Sequence, residues 1–532
     1  MGDEPPDWLS NPFTGTPFPN PGRQWWQIPD FDPAVGDIKV VWELSRMEWL
    51  FALAQQARGG DDRGVERLNS WLTDWCVHNP PFLGPNWKCG QEASIRTMHL
   101  AMTALILGQS RCPPVGLQEL VRIHLQRIAP TVHYAMAQEN NHVTSEAAAL
   151  FIGGSWLAHL GCEEGAAWER TGRRLLERSA GHLIGDDGSF SQYSLNYHRV
   201  MLDTLCMTEV WRGHFGLESF SPVWYKRAQR AAQWLHAMVS RESGDGPNLG
   251  ANDGARLLQL TDTGYRDFRP TVQLAMALFA QRRAYDEGAW DGQLHWLNIP
   301  LPDKKAELPA TFVADTGGMA VLRQGRAMAM LRFPRFRFRP SQADILHLDL
   351  WIDGEAVLRD AGTYSYNTDD RWLHYFGGTH GHNTVQFDDR DQMPRLGRFL
   401  FGDWPDSLVA EALVDESGGP GFAAGYADRL GASHIRRIRV GGGRLRVEDE
   451  IGGFGRKAVL RWRLPAGEWR LDGQRLSNGS YTLTVGGTMP IVRHELVQGW
   501  ESLHYMEKTP VPVLETEVLH AGLLTTEFTW VS

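Results

Sequence analysis

The hydrophobic period of the chain changes once, near Pro300-Leu301-Pro302-Asp303-Lys304-Lys305, and this break constrains the fold more than any other feature. Before it, apolar residues such as Val40, Val41, Leu44, Met47, Leu50 and Leu53 recur at three- and four-residue spacing, the repeat of one helix face. The pattern predicts helices near 61–77, 88–108, 115–136, 142–160, 163–179, 191–214, 222–239 and 269–285. Breaks such as Asn79-Pro80-Pro81, Cys112-Pro113-Pro114 and Gly185-Asp186-Asp187-Gly188 separate them. Long helices with short connections and no intervening strand stack as antiparallel pairs, and a ring of such hairpins is their natural closed form. After the break, runs such as Leu346-His347-Leu348-Asp349-Leu350-Trp351 and Ala458-Val459-Leu460-Arg461-Trp462-Arg463-Leu464 alternate with period two between Gly-rich turns. That is the pattern of antiparallel strands in a sandwich.

A chain of 532 residues exceeds one compact core. The expected division is an extended arm over 1–36, rich in Pro and aromatics, then a helical domain over 37–305 and a β-sandwich over 306–532. Ligand clefts favour such domain junctions. A net charge of −10 with no basic run excludes nucleic acid as the main partner. An anionic ligand would need a local group of donors and Arg. Five scattered cysteines (Cys76, Cys89, Cys112, Cys162 and Cys206) form no CxxC, which fits a reducing compartment. Met1 to Asn20 is acidic, polar and Pro-rich, so it reads neither as a signal peptide nor as a membrane span. The expected location is cytoplasmic, or periplasmic or secreted if a leader has been removed. The oligomeric state leaves no mark in the sequence.

Four constellations carry polar groups where an apolar stripe is expected. Asn140-Asn141-His142 opens an Ala/Leu-rich helix. Asn is a favoured N-cap, but capping accounts for one Asn and leaves the second and the His for a site. Ser191-Gln192-Tyr193-Ser194-Leu195-Asn196-Tyr197-His198 is expected to begin a helix on which Tyr193 and Tyr197 share a face at i,i+4, with Gln192 and Asn196 beside them. Asn248-Leu249-Gly250-Ala251-Asn252-Asp253 is a polar Gly loop of the kind that starts a helix. The fourth group, Arg337, Arg339, Gln342, Asp344, Asp360, Tyr364, Tyr366 and His380-Gly381-His382-Asn383-Thr384, lies in the β half, where its His, Asp and amide groups have the character of metal ligands.

These residues, with Asn86-Trp87, Glu92, Arg96, Asp360-Ala361-Gly362-Thr363-Tyr364 and His382-Asn383-Thr384-Val385, resemble the heparinase II/III-like polysaccharide lyases over nearly the whole chain. The resemblance implies an incomplete (α/α) toroid followed by an antiparallel β-sandwich, and β-elimination at a uronic acid within an anionic polysaccharide. It implies that Asn141 neutralises the substrate carboxylate, His142 assists, and Tyr197 acts as base and then acid. Asn140, Gln192, Tyr193, His198, Asn252, Asp253, Arg339 and Trp87 would contact the glycan. Gln342, Asp360 and His382 would hold one divalent metal, zinc or calcium.

The chemistry accounts for these residue types. A C5 proton beside a carboxylate is poorly acidic, so amide and imidazolium donors must stabilise the enediolate. The base is then expected to be a Tyr phenolate of depressed pKa. Where the family carries His-x-His-Ala-Asp, this chain has Pro340-Ser341-Gln342-Ala343-Asp344, and Gln is a poorer transition-metal ligand than His. His347, His374 or His380 could supply an imidazole instead. Three activities fit these residues. They are uronate lyase, hydrolase using a carboxylate pair such as Asp187 and Asp253, and glycan binding without turnover.

Overall fold

The computed structural model describes residues 4–413 and 419–531. Its helical half comprises α1 (Ile38–Ser45), α2 (Trp49–Arg58), α3 (Arg63–His78), α4 (Gly90–Ile106), α5 (Val115–Ile128), α6 (Val132–Ala137), α7 (Asn141–His159), α8 (Gly165–Leu183), α9 (Leu195–Phe215), α10 (Pro222–Met238), α11 (Arg269–Ala275) and α12 (Gly292–Trp296). The central helix is α7, which packs against α4, α5, α8 and α9. It is buried almost all round because its inner positions are small, including Ala147, Ala148, Ala149, Gly153 and Gly154. A Cβ on Gly154 would stand 2.5 Å from the Glu169 backbone nitrogen, and one on Gly172 of α8 would strike the Phe151 backbone. The two helix axes therefore approach as closely as backbones allow.

The helical half is less regular than its periodicity predicts. The stretch predicted as one helix over 115–136 breaks into α5 and α6, and 269–285 forms only α11 with a π-helical turn to Ala280. Residues 239–268 form neither helix nor strand. This long loop, which contains the Asn248–Asp253 stretch expected to start a helix, is pinned instead at both faces. Leu195 donates its N–H to Leu249 O at 3.1 Å, while Asn248 Nδ2 reaches Ser502 O at 2.7 Å and the Asn252 N–H reaches Thr363 Oγ1 at 3.0 Å.

The β half begins with a five-stranded antiparallel sheet of Thr311–Ala314, Met319–Gln324, Ala327–Arg332, Leu348–Ile352 and Glu355–Leu358, in chain order. An eight-stranded and a four-stranded sheet follow, all of their pairings antiparallel. In Ser433–Gly441 the burial alternates strictly, with His434, Arg436, Ile438 and Val440 inside, as a strand with one core face requires. Two of these inward residues are polar, and both reach Asp449, which lies 2.7 Å from His434 Nε2 and 2.6 Å from Arg436 Nε. One helix, α13 (Asp370–Gly377), interrupts the strands. An (α/α) toroid-type helical half and an antiparallel sandwich are thus both present. Among the described residues no helix is long and apolar enough to cross a membrane.

Candidate active site

The chain places its polar constellations at the junction of the two halves, in a cleft of about 360 Å³. Asn140 is the N-cap of α7: its φ is −141° and its Oδ1 accepts the His142 N–H at 3.0 Å. The Asn141 N–H is taken by Gln192 Oε1 at 2.9 Å. With the backbone satisfied in this way, the Asn141 carboxamide and the His142 imidazole make no hydrogen bond among the described residues, and both residues line the cleft. Burial lowers the His142 pKa, so the ring is neutral.

The opposite wall is the start of α9. Ser194 caps it, accepting the Tyr197 N–H at 3.1 Å and donating to Ala251 O at 2.6 Å. Because the helix starts at Leu195, Tyr193 lies outside it, in a left-handed turn at φ 49°, and does not share a face with Tyr197. Its hydroxyl accepts the N–H groups of Arg337 (2.8 Å) and Phe338 (3.1 Å). Tyr193 therefore holds the segment that presents Arg337, Phe338 and Arg339 to the cleft and does not itself line it. Arg339 also anchors on Gln138 O at 3.3 Å.

The Tyr197 hydroxyl reaches the cleft and lies 3.0 Å from the hydroxyl of Tyr366, which comes from the β half. Burial, and then the neighbouring Asp253 carboxylate, push the Tyr197 phenol well above its usual range. The free protein thus holds Tyr197 protonated, opposite to the depressed pKa expected from sequence. Tyr366 is fixed in turn: its N–H donates to the Tyr505 hydroxyl at 3.0 Å, and that hydroxyl donates to Asp37 Oδ2 at 2.6 Å. Asp37 is the N-cap of α1. Sequence reasoning missed Lys39, which lines the cleft and stands 2.5 Å from Asp253 Oδ2. It noticed Tyr366 without giving it a role. Residues 39, 197, 366 and 505 share no spacing that could have joined them.

Other expected contacts lie elsewhere. Trp87 is 1% exposed and donates its indole N–H to Asn79 O at 3.0 Å. Its motif partners are structural too, since Glu92 pairs with buried Arg46 at 2.8 Å and Arg96 reaches Asn86 O at 2.7 Å. His198 stacks on Trp234, with ring centroids 4.2 Å apart, and its Nε2 engages Ala231 O. Asn252 Oδ1 is occupied by the Tyr265 hydroxyl and the Gly254 N–H. The hydrolase pair does not form: Asp187 accepts the N–H groups of Ser189, Thr316 and Gly317, and Asp253 is bound to Lys39.

A second polar cluster lies in the β half, where ligand-capable atoms of His347, Asp360 and His382 fall within 4.8 Å of one another. The imidazole that joins Asp360 and His382 is that of His347. Gln342 instead gives its amide N–H to Gly362 O at 3.0 Å. Asp360 Oδ1 accepts the Gly362 N–H at 2.7 Å, and its Oδ2 lies 2.7 Å from His382 Nδ1 and 3.4 Å from His347 Nε2. Asn383 donates its N–H to His347 Nδ1 at 2.9 Å, so in the neutral ring the proton sits on Nε2. His347 Nε2 stands 3.4 Å from both Asp349 Oδ1 and Asp360 Oδ2, makes no hydrogen bond among the described residues, and in this tautomer offers no lone pair. His382 is the reverse case: its Nδ1–H serves Asp360, and its Nε2 is buried without a partner, as is Gln342 Oε1. A His supported by a carboxylate with its other nitrogen free is the usual arrangement of a metal-binding imidazole. His382 Nε2 is therefore free to take a cation, Asp360 fits an orienting role, and His347 in this tautomer does not fit as a ligand.

A helical toroid against an antiparallel sandwich, with an amide, an imidazole and a phenol in the cleft between them, is the architecture of a polysaccharide lyase. Models of the heparinase II/III N-terminus and of the heparinase II/III-like C-terminal region match residues 7–247 and 306–503. The chain belongs to this family of lyases. Among solved structures, heparinase III shares 15% identity and a TM-score of 0.73, over 99% of this chain and 82% of that one. The heparan sulfate lyase HepC from Pedobacter heparinus shares 18% identity and a TM-score of 0.59, over 95% and 78%. The chondroitin AC lyase of Streptomyces coelicolor A3, solved with chondroitin sulphate, shares 14% and a TM-score of 0.56, over 99% and 76%. No curated protein matched the sequence.

Proposed function

We propose that the protein cleaves a uronic-acid-containing anionic glycan by β-elimination, in the cleft between a helical domain over 37–305 and a β-sandwich over 306–532. The observation that carries this is the meeting, in one cleft, of Tyr197 with Asn141 and His142, whose side chains have no hydrogen-bond partner among the described residues. Asn141 donates to the uronate carboxylate as it becomes an enediolate, where a preorganised donor counts most. His142 sits one residue on and steadies the same group. Tyr197 removes the C5 proton and returns it to the departing glycosidic oxygen. Tyr197 is protonated at rest, so it first gives its own proton to solvent; the phenolate then takes the C5 proton, and passing that proton to the glycosidic oxygen regenerates the phenolate. With Tyr366 as the donor of the hydroxyl–hydroxyl bond, that bond favours the ionisation and lowers the Tyr197 phenol against the larger effect of burial. Asn140 and Gln192 hold the helix start, and Arg339 contacts the chain at the rim.

One divalent cation, zinc or calcium, belongs to the same proposal. His382 Nε2 and Gln342 Oε1 would hold it with Asp360 orienting His382, and two neutral ligands would hold it weakly. When bound, it would stiffen the loop that carries Tyr364 and Tyr366, and no chemical step requires it. The relatives named above suggest sulfated glycosaminoglycans as first substrates, by analogy of fold alone. The test is a panel of uronic-acid polysaccharides followed by ultraviolet absorbance. Unsaturated uronate ends support the proposal; saturated reducing ends indicate hydrolysis, and saturable binding without product indicates a glycan-binding protein.

A further inference from the structure

The cleft leaves one charge without a counter-charge. A uronate carboxylate placed beside Asn141 and His142 meets an uncharged amide and an imidazole whose pKa burial lowers, with the Asp253 carboxylate close behind Tyr197. An anion in a partly buried site needs a cation or it is expelled. Arg337 and Arg339 are exposed at the rim. Lys39 is different. It lies in the first turn of α1, its side chain is only 21% exposed, and it lines both this cleft and an adjoining apolar pocket of about 190 Å³. Its Nζ stands 5.2 Å from the centroid of the Tyr366 ring, whose hydroxyl touches Tyr197.

The element that delivers Lys39 is fixed to both halves. The Asp37 carboxylate caps α1 through the Lys39 N–H at 3.0 Å and also receives the Tyr505 hydroxyl of the β half. Asp253 comes from the loop that Ser194 ties to the start of α9. One ammonium is therefore placed by three separate segments at the same end of the cleft as the phenol pair. An ion pair serving stability alone needs no opening to solvent, whereas this one borders the cleft.

We propose that Lys39 is the cation that receives the substrate carboxylate, parked on Asp253 until substrate arrives. The inference rests on the uronate reading of the site and adds to it a specificity-determining residue from the first helix. The ligand class it selects is a sugar acid, as against a neutral sugar of the same shape.

The test uses the full-length chain carrying Tyr197→Phe, so that nothing turns over. Calorimetry compares a uronate oligosaccharide, taken from whichever panel polymer binds, with its carboxyl-reduced neutral counterpart. Lys39→Met is expected to weaken the acidic oligomer by roughly 10- to 100-fold and to leave the neutral one within about twofold, while Lys39→Arg restores most of the loss. Lys39→Gln gives the same comparison if Lys39→Met does not fold. Asp253→Asn separates the roles, because it frees the ammonium and should keep or tighten acidic binding. Equal losses in Lys39→Met and Asp253→Asn, recovered in the double variant, would make the pair a structural staple and overturn the proposal. An unchanged acidic-to-neutral ratio in Lys39→Met would do the same. Charge discrimination that depends on Lys39, in a protein whose wild type makes no unsaturated product, would retain the carboxylate site and reject the lyase chemistry.

Discussion

The hydroxyls of Tyr197 and Tyr366 lie 3.0 Å apart although the residues belong to opposite halves of the chain. Only one can accept the bond, and burial raises both phenols. If Tyr366 is the donor, Tyr366→Phe removes the hydrogen bond that favours the Tyr197 phenolate. Turnover should then fall by about 10- to 100-fold, the worth of a hydrogen bond to a charged group, with KM little changed. Steady-state kinetics on the active substrate decide it. A wild-type kcat would make the contact incidental.

Asn141→Ala should cut kcat by roughly 100- to 1000-fold if the carboxamide acts as an oxyanion donor. The fold should survive, because the helix cap is Asn140 and the Asn141 N–H still reaches Gln192. A change confined to KM would assign Asn141 to ground-state binding.

The start of α7 was the most legible part of the site, because two amides and an imidazole ahead of Val143 and the alanines break the apolar rule of a packed helix. The switch from helix to strand was equally plain, since period 3.6 and period two cannot be confused over such lengths. Trp87 and His198 were misplaced for a common reason. Each is satisfied by a partner off its own helical face, Asn79 across the Pro80-Pro81 break and Trp234 on α10, and a polar or aromatic residue shows nothing of its partner in one dimension. A single Lys on an amphipathic helix looks like a solvated face, so Lys39 carries no signal in sequence. His347 reads in sequence only as a spare imidazole, and the proton on its Nε2 follows from the Asn383 N–H, which no motif encodes.

Glu146, one turn after His142, gives a pH test of packing. Burial raises its carboxyl to about 8 from an ordinary 4.5. A raised folded pKa means stability that is full below the unfolded value and is lost as pH rises through the folded one. Between pH 4.5 and 8 the wild type should therefore lose melting temperature relative to Glu146→Gln, which stays neutral throughout. Parallel curves for the two proteins across that window would show that Glu146 is ionised or solvated at all pH values.

The contact of α7 with α8 sets a pair of opposite mutations. Gly172→Ala forces a Cβ onto the Phe151 backbone and should cost about 1–3 kcal/mol, the usual range for overpacking. Gly181→Ala, in the same helix with nothing within 4 Å of the new Cβ, should gain up to about 1 kcal/mol from helix propensity. Denaturant unfolding measures both. Equal effects would mean that the two helices are farther apart than described.

Metal content checks the β-half cluster. Since His347 Nε2 carries the ring proton in this tautomer and Gln342 is a neutral group, a cation should be lost on dialysis, and His382→Ala should leave the helical half folded. Stoichiometric zinc that survives a chelator would contradict the proton assigned to His347 Nε2.

The most direct measurement compares wild type with Tyr197→Phe on the uronate polymer that the wild type degrades, following unsaturated product by ultraviolet absorbance and binding by calorimetry. The expected result is product from the wild type, none from Tyr197→Phe, and similar affinity in both. Product from Tyr197→Phe at the wild-type rate would contradict the assignment of Tyr197 as the base and, with it, the proposed chemistry of this cleft.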